Sequence, residues 1–155
     1  MDDNILLSIS GDIADRSNFG NFITRNIQFF KFKNGKSLSV HEAAEFTRNQ
    51  YAEALRKAPY QVNSLLSGFD SIEGAQLFWL DYLGTLQRVK YGAHGYAAYF
   101  VLSVMAEFYK PDLNLEEAKQ IINHCVNELR TRFMIAQDHF VVKVIDQNGV
   151  RNLNN

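Results

Sequence analysis

The spacing of apolar residues near the start of the chain predicts a short strand followed by a helix. Residues 5–9 form a short, mostly apolar run that Gly11 closes, a pattern typical of a buried strand. Either Asp12 or Asp15 is placed to cap the helix, which Gly35 ends. Five side chains at helical spacing are expected to face the core: Phe19, Phe22, Ile23, Ile27 and Phe30.

A second helix and then a group of strands follow this first pair. Ser39 and Glu42 have the spacing of a capping box, in which each side chain accepts a hydrogen bond from the other residue's backbone N–H. Residues 60–68 and 75–83 alternate as strands, and a third strand is expected at residues 86–90. One side of the second helix is expected to carry Val40, Ala44, Thr47, Tyr51 and Leu55.

Two more helices and two strands are expected in the last third of the chain. Gly95 begins a helix that ends at the second proline, and Asn114 begins another with Glu117 at its third position. Residues 140–145 form a strand, and residues 148–149 are a hairpin signal. The inward positions of the two helices are Ala98, Val101, Leu102, Met105, Phe108 and Tyr109, then Ala118, Ile121, Ile122, Cys125, Leu129 and Phe133.

The order of these elements decides between two fold classes. Strict alternation of strand and helix is typical of a parallel sheet, whereas here pairs of helices separate groups of strands. The order therefore favours an α+β fold in which stacked antiparallel sheets lie between layers of helices. With 155 residues the chain has the size of one domain, so we expect residues 1–155 to form a single domain.

Composition narrows the class of protein further. Hydrophobic residues at 46% and charged residues at 21% exclude a disordered or fibrous chain. Sixteen basic against seventeen acidic residues give a net charge of −1, which argues against a nucleic-acid binder that relies on a basic field. The single cysteine, Cys125, excludes an internal disulfide framework and the multi-cysteine zinc patterns. An acidic start at residues 1–4 and apolar runs too short for a membrane span predict a soluble, intracellular protein.

Two pairs of residues resemble reactive sites but are better explained by structure. His41 and Glu45 lie four residues apart on one helical face, as in the start of a zinc-binding helix, but the pattern lacks a third protein ligand. His124 and Cys125 are neighbours, and neighbours on a helix point about 100° apart, so they do not form a thiol–imidazole pair. We therefore interpret Cys125 as a core residue.

Two segments invite a binding interpretation that their context weakens. Residues 29–36 interleave aromatic residues with lysines, as nucleic-acid platforms do, but they also lie at a helix end, where cations are favoured. Residues 92–95 precede a helix but lack the glycine spacing and the Lys-Ser/Thr pair of a phosphate loop. No Ser-His-Asp set can be assigned from spacing. The residues by themselves thus indicate no catalytic, cofactor-binding or metal-binding site.

Five blocks of sequence connect the chain with a known family. They are residues 25–35 (RNIQFFKFKNG), 59–70 (PYQVNSLLSGFD), 80–83 (LDYL), 93–96 (AHGY) and 145–149 (IDQNG). In these blocks the chain resembles the beta subunits of the eukaryotic proteasome core particle, most of all the subunit at the fourth beta position. The resemblance implies an N-terminal-nucleophile hydrolase-like fold, a four-layer αββα sandwich of antiparallel sheets. It also implies that the family's first strands, which precede residue 5, are missing from this chain.

The resemblance also bears on catalysis. Active members of the family attack the peptide bond with an N-terminal threonine whose own α-amino group serves as the base. The first threonine here, Thr24, falls inside the first predicted helix. At residues 93–96 active members carry Gly-Ser-Gly-Ser, so His94 replaces a supporting serine. The resemblance therefore implies a non-catalytic subunit, and the alternative is an active threonine-type peptidase whose N-terminus is not part of this chain.

The same resemblance implies the partners and the place of the protein. The expected partners are other proteasome alpha and beta subunits in stacked seven-membered rings, with neither nucleic acid nor membrane and with no cofactor. The chain would help to wall the chamber for ATP- and ubiquitin-dependent protein degradation, in the cytoplasm and nucleus. A third hypothesis is a free-standing relative or assembly factor with the same fold, found outside large particles.

Overall fold

The structure, a computed structural model, describes residues 4–134 and 139–153. Most of the acidic start therefore lies outside the described residues. The elements follow in the predicted order: β1 (Ile5–Gly11), α1 (Ile13–Asn34), α2 (Val40–Leu55), β2 (Val62–Asp70), β3 (Gly74–Leu80), β4 (Leu86–Arg88), α3 (Ala98–Phe108), α4 (Leu115–Arg132), β5 (Lys143–Asp146) and β6 (Gly149–Asn152).

The chain divides into two compact units. The first unit comprises Met1–Lys90 and Val142–Asn155, and the second comprises Tyr91–Val141. The first unit therefore contains every described strand together with α1 and α2, and the second contains α3 and α4. The expectation of a single domain stays a prediction.

All strand pairs described in the first unit are antiparallel. A four-stranded sheet has the order β1-β2-β3-β4, and β5 pairs with β6 in a separate hairpin. The register places Leu7 opposite Leu66, which in turn lies opposite Phe78. The hairpin lies near this sheet, β5 beside β2 and β6 beside β1. The antiparallel arrangement expected from the element order is confirmed.

The core of the first unit lies between one face of the four-stranded sheet and the helices α1 and α2. Since Cβ atoms alternate along a strand, one set of alternate residues meets the helices. Tyr51 on α2 is buried there, and its hydroxyl donates to Ser64 Oγ at 3.1 Å. Burial raises the pKa of Tyr51 to about 12. The buried apolar cluster consists of Ile5, Phe19, Ile23, Ile27, Val40, Ala43, Ala44, Tyr51, Val62, Leu66, Phe78 and Leu80.

The helix ends follow local side-chain chemistry. Asp12 caps α1, because its Oδ2 accepts from the backbone N–H of Asp15 at 3.0 Å. Asp15 instead accepts from the backbone N–H of Gln61 at 2.8 Å and so ties α1 to the chain before β2. Gly35 ends α1 in the left-handed conformation at φ 63° and donates to the carbonyl of Lys31.

Several predicted boundaries were wrong by two or three residues. β3 ends at Leu80 rather than at residue 83, because Asp81 Oδ1 accepts from the backbone N–H groups of Leu83 and Thr85 and turns the chain. β2 runs Val62–Asp70 instead of 60–68, β4 ends at Arg88, and β5 begins at Lys143 rather than at residue 140. α3 begins at Ala98, because residues 95–97 form a turn in which Gly95 has φ 73°.

Two aromatic residues predicted to face the core from α1 are exposed. Phe22 is 41% exposed and Phe30 is 39% exposed. Phe22 lies about 60° around the helix from Phe19, away from the side that meets the sheet. Phe30 lies in the last turns of a 22-residue helix. This helix is about 33 Å long and is therefore longer than the seven-residue β1, which spans about 23 Å.

The second unit consists mainly of α3 packed on α4. Asn114 and Glu117 form the predicted capping box at the start of α4. The rings of Phe100 and Phe133 meet edge to face with centroids 5.7 Å apart. On α3 Val101 is buried, whereas Leu102 and Phe108 are exposed, contrary to prediction. α3 is apolar on most sides, and α4 covers one of them.

The capping box of α2 provides a first testable prediction. Glu42 Oε2 accepts from the Ser39 backbone N–H at 2.8 Å, and this bond holds the pKa of Glu42 below its ordinary value of 4.5. Its stabilising contribution is therefore present above pH 4.5 and is lost as the pH falls through the lowered pKa. We expect Glu42→Gln to reduce the free energy of unfolding by about 0.5–1 kcal/mol at pH 7.

Urea midpoints of wild type and variant, measured stepwise from pH 7 to pH 3, check this prediction. The difference between the two proteins is expected to narrow as the pH falls. Glu53→Gln is the matched control, since Glu53 is an exposed acid on the same helix outside the box. A difference between wild type and Glu42→Gln that stays constant down to pH 3 would contradict the role of the ionised carboxylate.

Candidate functional site

The residue pairs that resemble reactive sites do not assemble into one. His41 Nε2 lies 3.8 Å from Glu45 Oε1, and both side chains are about half exposed. Among residues 4–134 and 139–153, no three His, Cys, Asp or Glu side chains cluster as a metal site would require. Cys125 is buried on α4, and burial raises the pKa of its thiol. His124 stacks instead on the ring of Phe108, with centroids 4.9 Å apart.

The loop before α3 contains residues 93–96, one of the sequence blocks on which the family resemblance rests. His94 is half-buried, Gly95 is exposed at φ 73°, and Tyr96 is exposed. The backbone N–H of Ala98 donates to the Gly95 carbonyl at 3.2 Å and closes the turn. Thr24 lies in the middle of α1, as predicted. A threonine held inside a helix has no free α-amino group beside its hydroxyl.

A cavity of mixed polar and apolar lining in the first unit has its acids already engaged. It measures about 590 Å³ and lies at the start of α2, next to the turn between β2 and β3. Asp70 Oδ1 accepts from the backbone N–H groups of Ile72 and Glu73, and its Oδ2 accepts from Gln76 Nε2. Glu42, on the same wall, belongs to the capping box. These carboxylates build the turn and the helix start, so the cavity offers little for a reaction.

The most distinctive surface is the solvent face of α1. We call it the outer stripe of α1 and define it by five exposed residues: Phe22, Arg25, Phe29, Phe32 and Lys33. Phe29 is 62% exposed and Phe32 is 87% exposed. Large exposed aromatic residues on a helix commonly mark a contact with another protein.

Charge sets the outer stripe apart from the rest of the chain. No acidic residue occurs between Asp15 and Glu42. In the described part of the chain, neither Arg25 nor Lys33 takes part in an ion pair. The stripe therefore combines exposed aromatic rings with cations that have no internal counter-charge.

Sequence reasoning missed this surface, although the signal was present. It assigned Phe22 to the core and treated residues 29–36 as a separate segment. Phe22 and Phe29 are seven residues apart, which places them on one face two turns from each other. Together with the lack of acids across the helix, this spacing shows that the two rings share a face, and their exposure shows that this face is the outer one.

Comparison with known proteins places this architecture in a family. The model of the family described as "Proteasome subunit" matches residues 1–145. The chain is 42% identical over 151 residues to Proteasome subunit beta type-2 of Oryza sativa subsp. japonica, with 97% of this chain and 71% of that protein covered. It is 41% identical over 152 residues to Proteasome subunit beta type-2-A of Arabidopsis thaliana, with 98% and 74% covered.

A fungal relative extends the comparison. Identity to the Probable proteasome subunit beta type-4 of Schizosaccharomyces pombe (strain 972 / ATCC 24843) is 41% over 151 residues, with 96% of this chain and 78% of that protein covered. The chain therefore belongs to the proteasome subunit family, among its beta subunits. The resemblance drawn from the sequence blocks is confirmed, and so is the expected α+β class with antiparallel sheets.

The described helices also bear on membrane association. Within residues 4–134 and 139–153, none of them combines the length and the apolar character that crossing a bilayer requires.

Proposed function

We propose that this chain is a non-catalytic, structural beta subunit of the proteasome core particle. It would help to build the inner beta ring, which encloses the chamber for ATP- and ubiquitin-dependent protein degradation. Family membership over most of the chain supports the ring role. The observation that carries the non-catalytic part is His94, in the loop where active members of the family carry a serine.

The chemistry of that loop supports the absence of an active site. A serine hydroxyl can both donate and accept a hydrogen bond beside a nucleophile, within a small volume. His94 brings an imidazole instead, which is larger and fixes its donor and acceptor on two separate nitrogens of a planar ring. The second serine of the family pattern is also changed, since Tyr96 stands in its place. A nucleophile placed beside this loop would lack the two supporting serine hydroxyl groups.

The proposed partners are other alpha and beta subunits of the core particle, in a hetero-oligomer of stacked rings. A ring member needs exposed surfaces that can be covered by its neighbours, and the outer stripe of α1 is such a surface. The role requires neither a metal nor a cofactor on this chain. Cytoplasm and nucleus are the proposed locations.

Fractionation of native particles tests both parts of the proposal. We expect the tagged endogenous chain to travel with peptidase activity at a mass far above its own 17.8 kDa. An electrophilic peptide that modifies N-terminal threonines is expected to label other subunits of the particle and to leave this one unlabelled. The His94→Ser variant is expected to leave the total peptidase activity of the particle unchanged.

Two outcomes would contradict the proposal in different ways. Labelling of this chain by the threonine-directed probe would favour the active peptidase. Recovery of the chain only near 17.8 kDa, or in a complex without peptidase activity, would favour a free-standing relative or an assembly factor.

A further inference from the structure

We propose that Asn148 is a self-reacting modification site, at which the following glycine closes a succinimide ring whose hydrolysis opens the β5–β6 hairpin. The reaction needs only residues of this chain and water, so it is independent of the proposed function. It would give the chain a slow covalent mark in the turn of its two-stranded sheet.

An asparagine followed by glycine supplies the chemistry. The backbone nitrogen of Gly149 attacks Cγ of Asn148, so that an N–Cγ bond forms and the Cγ–Nδ2 bond breaks. The amide nitrogen leaves as ammonia and takes the proton of the Gly149 N–H. Water then opens the ring at one of its two carbonyl groups, which yields aspartate or isoaspartate. Glycine favours the attack because it has no Cβ atom to crowd the nitrogen and because its backbone turns freely.

The chain contains two Asn-Gly pairs, and the first of them is protected by a helix. This pair ends α1, where Gly35 donates its N–H to the Lys31 carbonyl at 2.9 Å. Asn34 Nδ2 donates to the Phe30 carbonyl, also at 2.9 Å. The attacking nitrogen and the amide that it would attack are therefore both bonded to the last turns of α1. Bringing them together would break both bonds, so Asn34 is expected to react slowly.

The second pair lies in a much smaller element. Residues 147–148 are the exposed turn between β5 and β6, which have four residues each. A two-stranded hairpin is marginally stable by itself, so we expect this turn to open locally more often than the last turns of α1. Each opening lets the Gly149 nitrogen move toward the Asn148 side chain. Asn148 is therefore the site expected to react in the folded chain.

Both products would weaken the hairpin through charge. Asp146 Oδ1 accepts from the Asn148 backbone N–H at 2.8 Å, and the Asn148 side chain also bonds to this carboxyl group. The backbone bond, and after it Arg151, hold the pKa of Asp146 below its ordinary value of 3.8, so Asp146 is ionised at neutral pH. Deamidation replaces the amide of residue 148 with a second carboxylate, and the two like charges repel each other.

Isoaspartate would also change the backbone of the turn. It adds one methylene group to the main chain between residues 148 and 149. Ile145 pairs with Val150 and Asp146 pairs with Gly149, which leaves only two residues for the connection. Since the turn sets the register of a hairpin, a longer connection would displace these pairs. We therefore expect the isoaspartate form to lose the pairing of β5 with β6.

Peptide mapping by mass spectrometry tests the selectivity within one chain. The native chain, with any partners it retains, is incubated at neutral pH, and deamidation at residues 34 and 148 is followed over time. We expect Asn148 to react about fivefold faster than Asn34 in the folded chain, and at a similar rate in concentrated urea. An enzyme that methylates isoaspartate is expected to label the residue-148 peptide, because direct hydrolysis of the amide yields aspartate only. Equal rates in the folded chain, or aspartate as the sole product, would overturn the proposal.

Hydrogen exchange measures what the modification does to the hairpin. We expect the amides of β5 and β6 to exchange about tenfold faster after conversion, while those of β2 and β3 stay unchanged. Asn148→Gln is the matched control, since its longer side chain keeps the amide but closes the corresponding larger ring far more slowly. The variant, incubated for the same time, is expected to keep its slow exchange. An equal loss of protection in this variant, or unchanged exchange in converted wild type, would overturn the link between Asn148 and the opening of the hairpin.

Discussion

Gly11→Ala is expected to destabilise the first unit by about 3–5 kcal/mol, enough to unfold a typical domain of this size in part or in full. Gly11 has φ 132°, a conformation that side chains rarely adopt. A Cβ atom there would collide with the carbonyl oxygen of Gln61 and come within 2.8 Å of the Cα of Val62. Both of these atoms belong to the backbone beside β1, so they cannot move aside as a flexible side chain would.

The close approach at Gly11 follows from how β1 joins α1. Gly11 pairs with Val62 at the end of the sheet, and the next residue, Asp12, donates its N–H to the Gln61 carbonyl at 3.0 Å. The same short stretch thus has to finish a strand and cap a helix. The added methyl group would break this junction, through which α1 is held on the sheet.

Gly74→Ala provides the control for the backbone conformation alone. Gly74 also has a positive φ, 71°, but a Cβ there meets no atom within 4 Å. We expect this variant to lose only about 1 kcal/mol. Urea unfolding followed by the fluorescence of Trp79, the single tryptophan, measures both variants. Equal losses at the two glycines would show that the approach of the Gln61 backbone does not matter.

Local chemistry explains which features the sequence could predict. Ser39 with Glu42 and Asn114 with Glu117 were identified as capping boxes, because such a box depends on two side chains three residues apart and on nothing distant. The choice between Asp12 and Asp15 as the cap of α1 could not be made without the fold. Only the structure brings the Gln61 N–H to Asp15, which leaves Asp12 as the cap.

Tertiary packing explains most of what the sequence could not predict. Helical spacing shows which residues share a side of α1, but not how much of that side a sheet of finite length covers. Phe30 was therefore assigned to the core together with Ile23 and Ile27, although the helix continues beyond β1. The end of β3 was a different error, since the side chain of Asp81 could have been recognised as a turn former.

The candidate site also contains features that local sequence predicts and features that only tertiary packing reveals. The family, the loop at His94 and the position of Thr24 could be inferred from short blocks of sequence. The outer stripe of α1 could not be separated from the core until burial was known, because helical spacing does not show which phenylalanines of the helix face the sheet. One helix thus carries a buried face with Phe19, Ile23 and Ile27 and an exposed aromatic face, and we assign folding to the first and propose assembly for the second.

Phe19→Ala and Phe29→Ala are expected to separate these two roles. Phe19 is fully buried, and its ring centroid lies 4.2 Å from that of Tyr51 and 4.8 Å from that of Tyr60. Its loss is expected to reduce the free energy of unfolding by about 3–5 kcal/mol, because a cavity opens between α1 and α2. Phe29 packs little within the chain, so its loss is expected to change stability by no more than about 0.5 kcal/mol.

Phe19→Ala should have the larger effect on stability, and Phe29→Ala the larger effect on assembly when assembly is measured relative to the amount of folded chain. Phe29→Ala is expected to stay folded but to enter the particle several-fold less, since an exposed aromatic anchor of this kind is typical of interface centres. Phe19→Ala is expected to lower the amount of folded chain, while the molecules that do fold enter the particle normally. Urea midpoints measure the stability of each variant, and native fractionation of the same preparations measures how much of the folded chain enters the particle. A Phe29→Ala variant as unstable as Phe19→Ala, or one that assembles like wild type, would show that the outer face of α1 has no separate role in assembly.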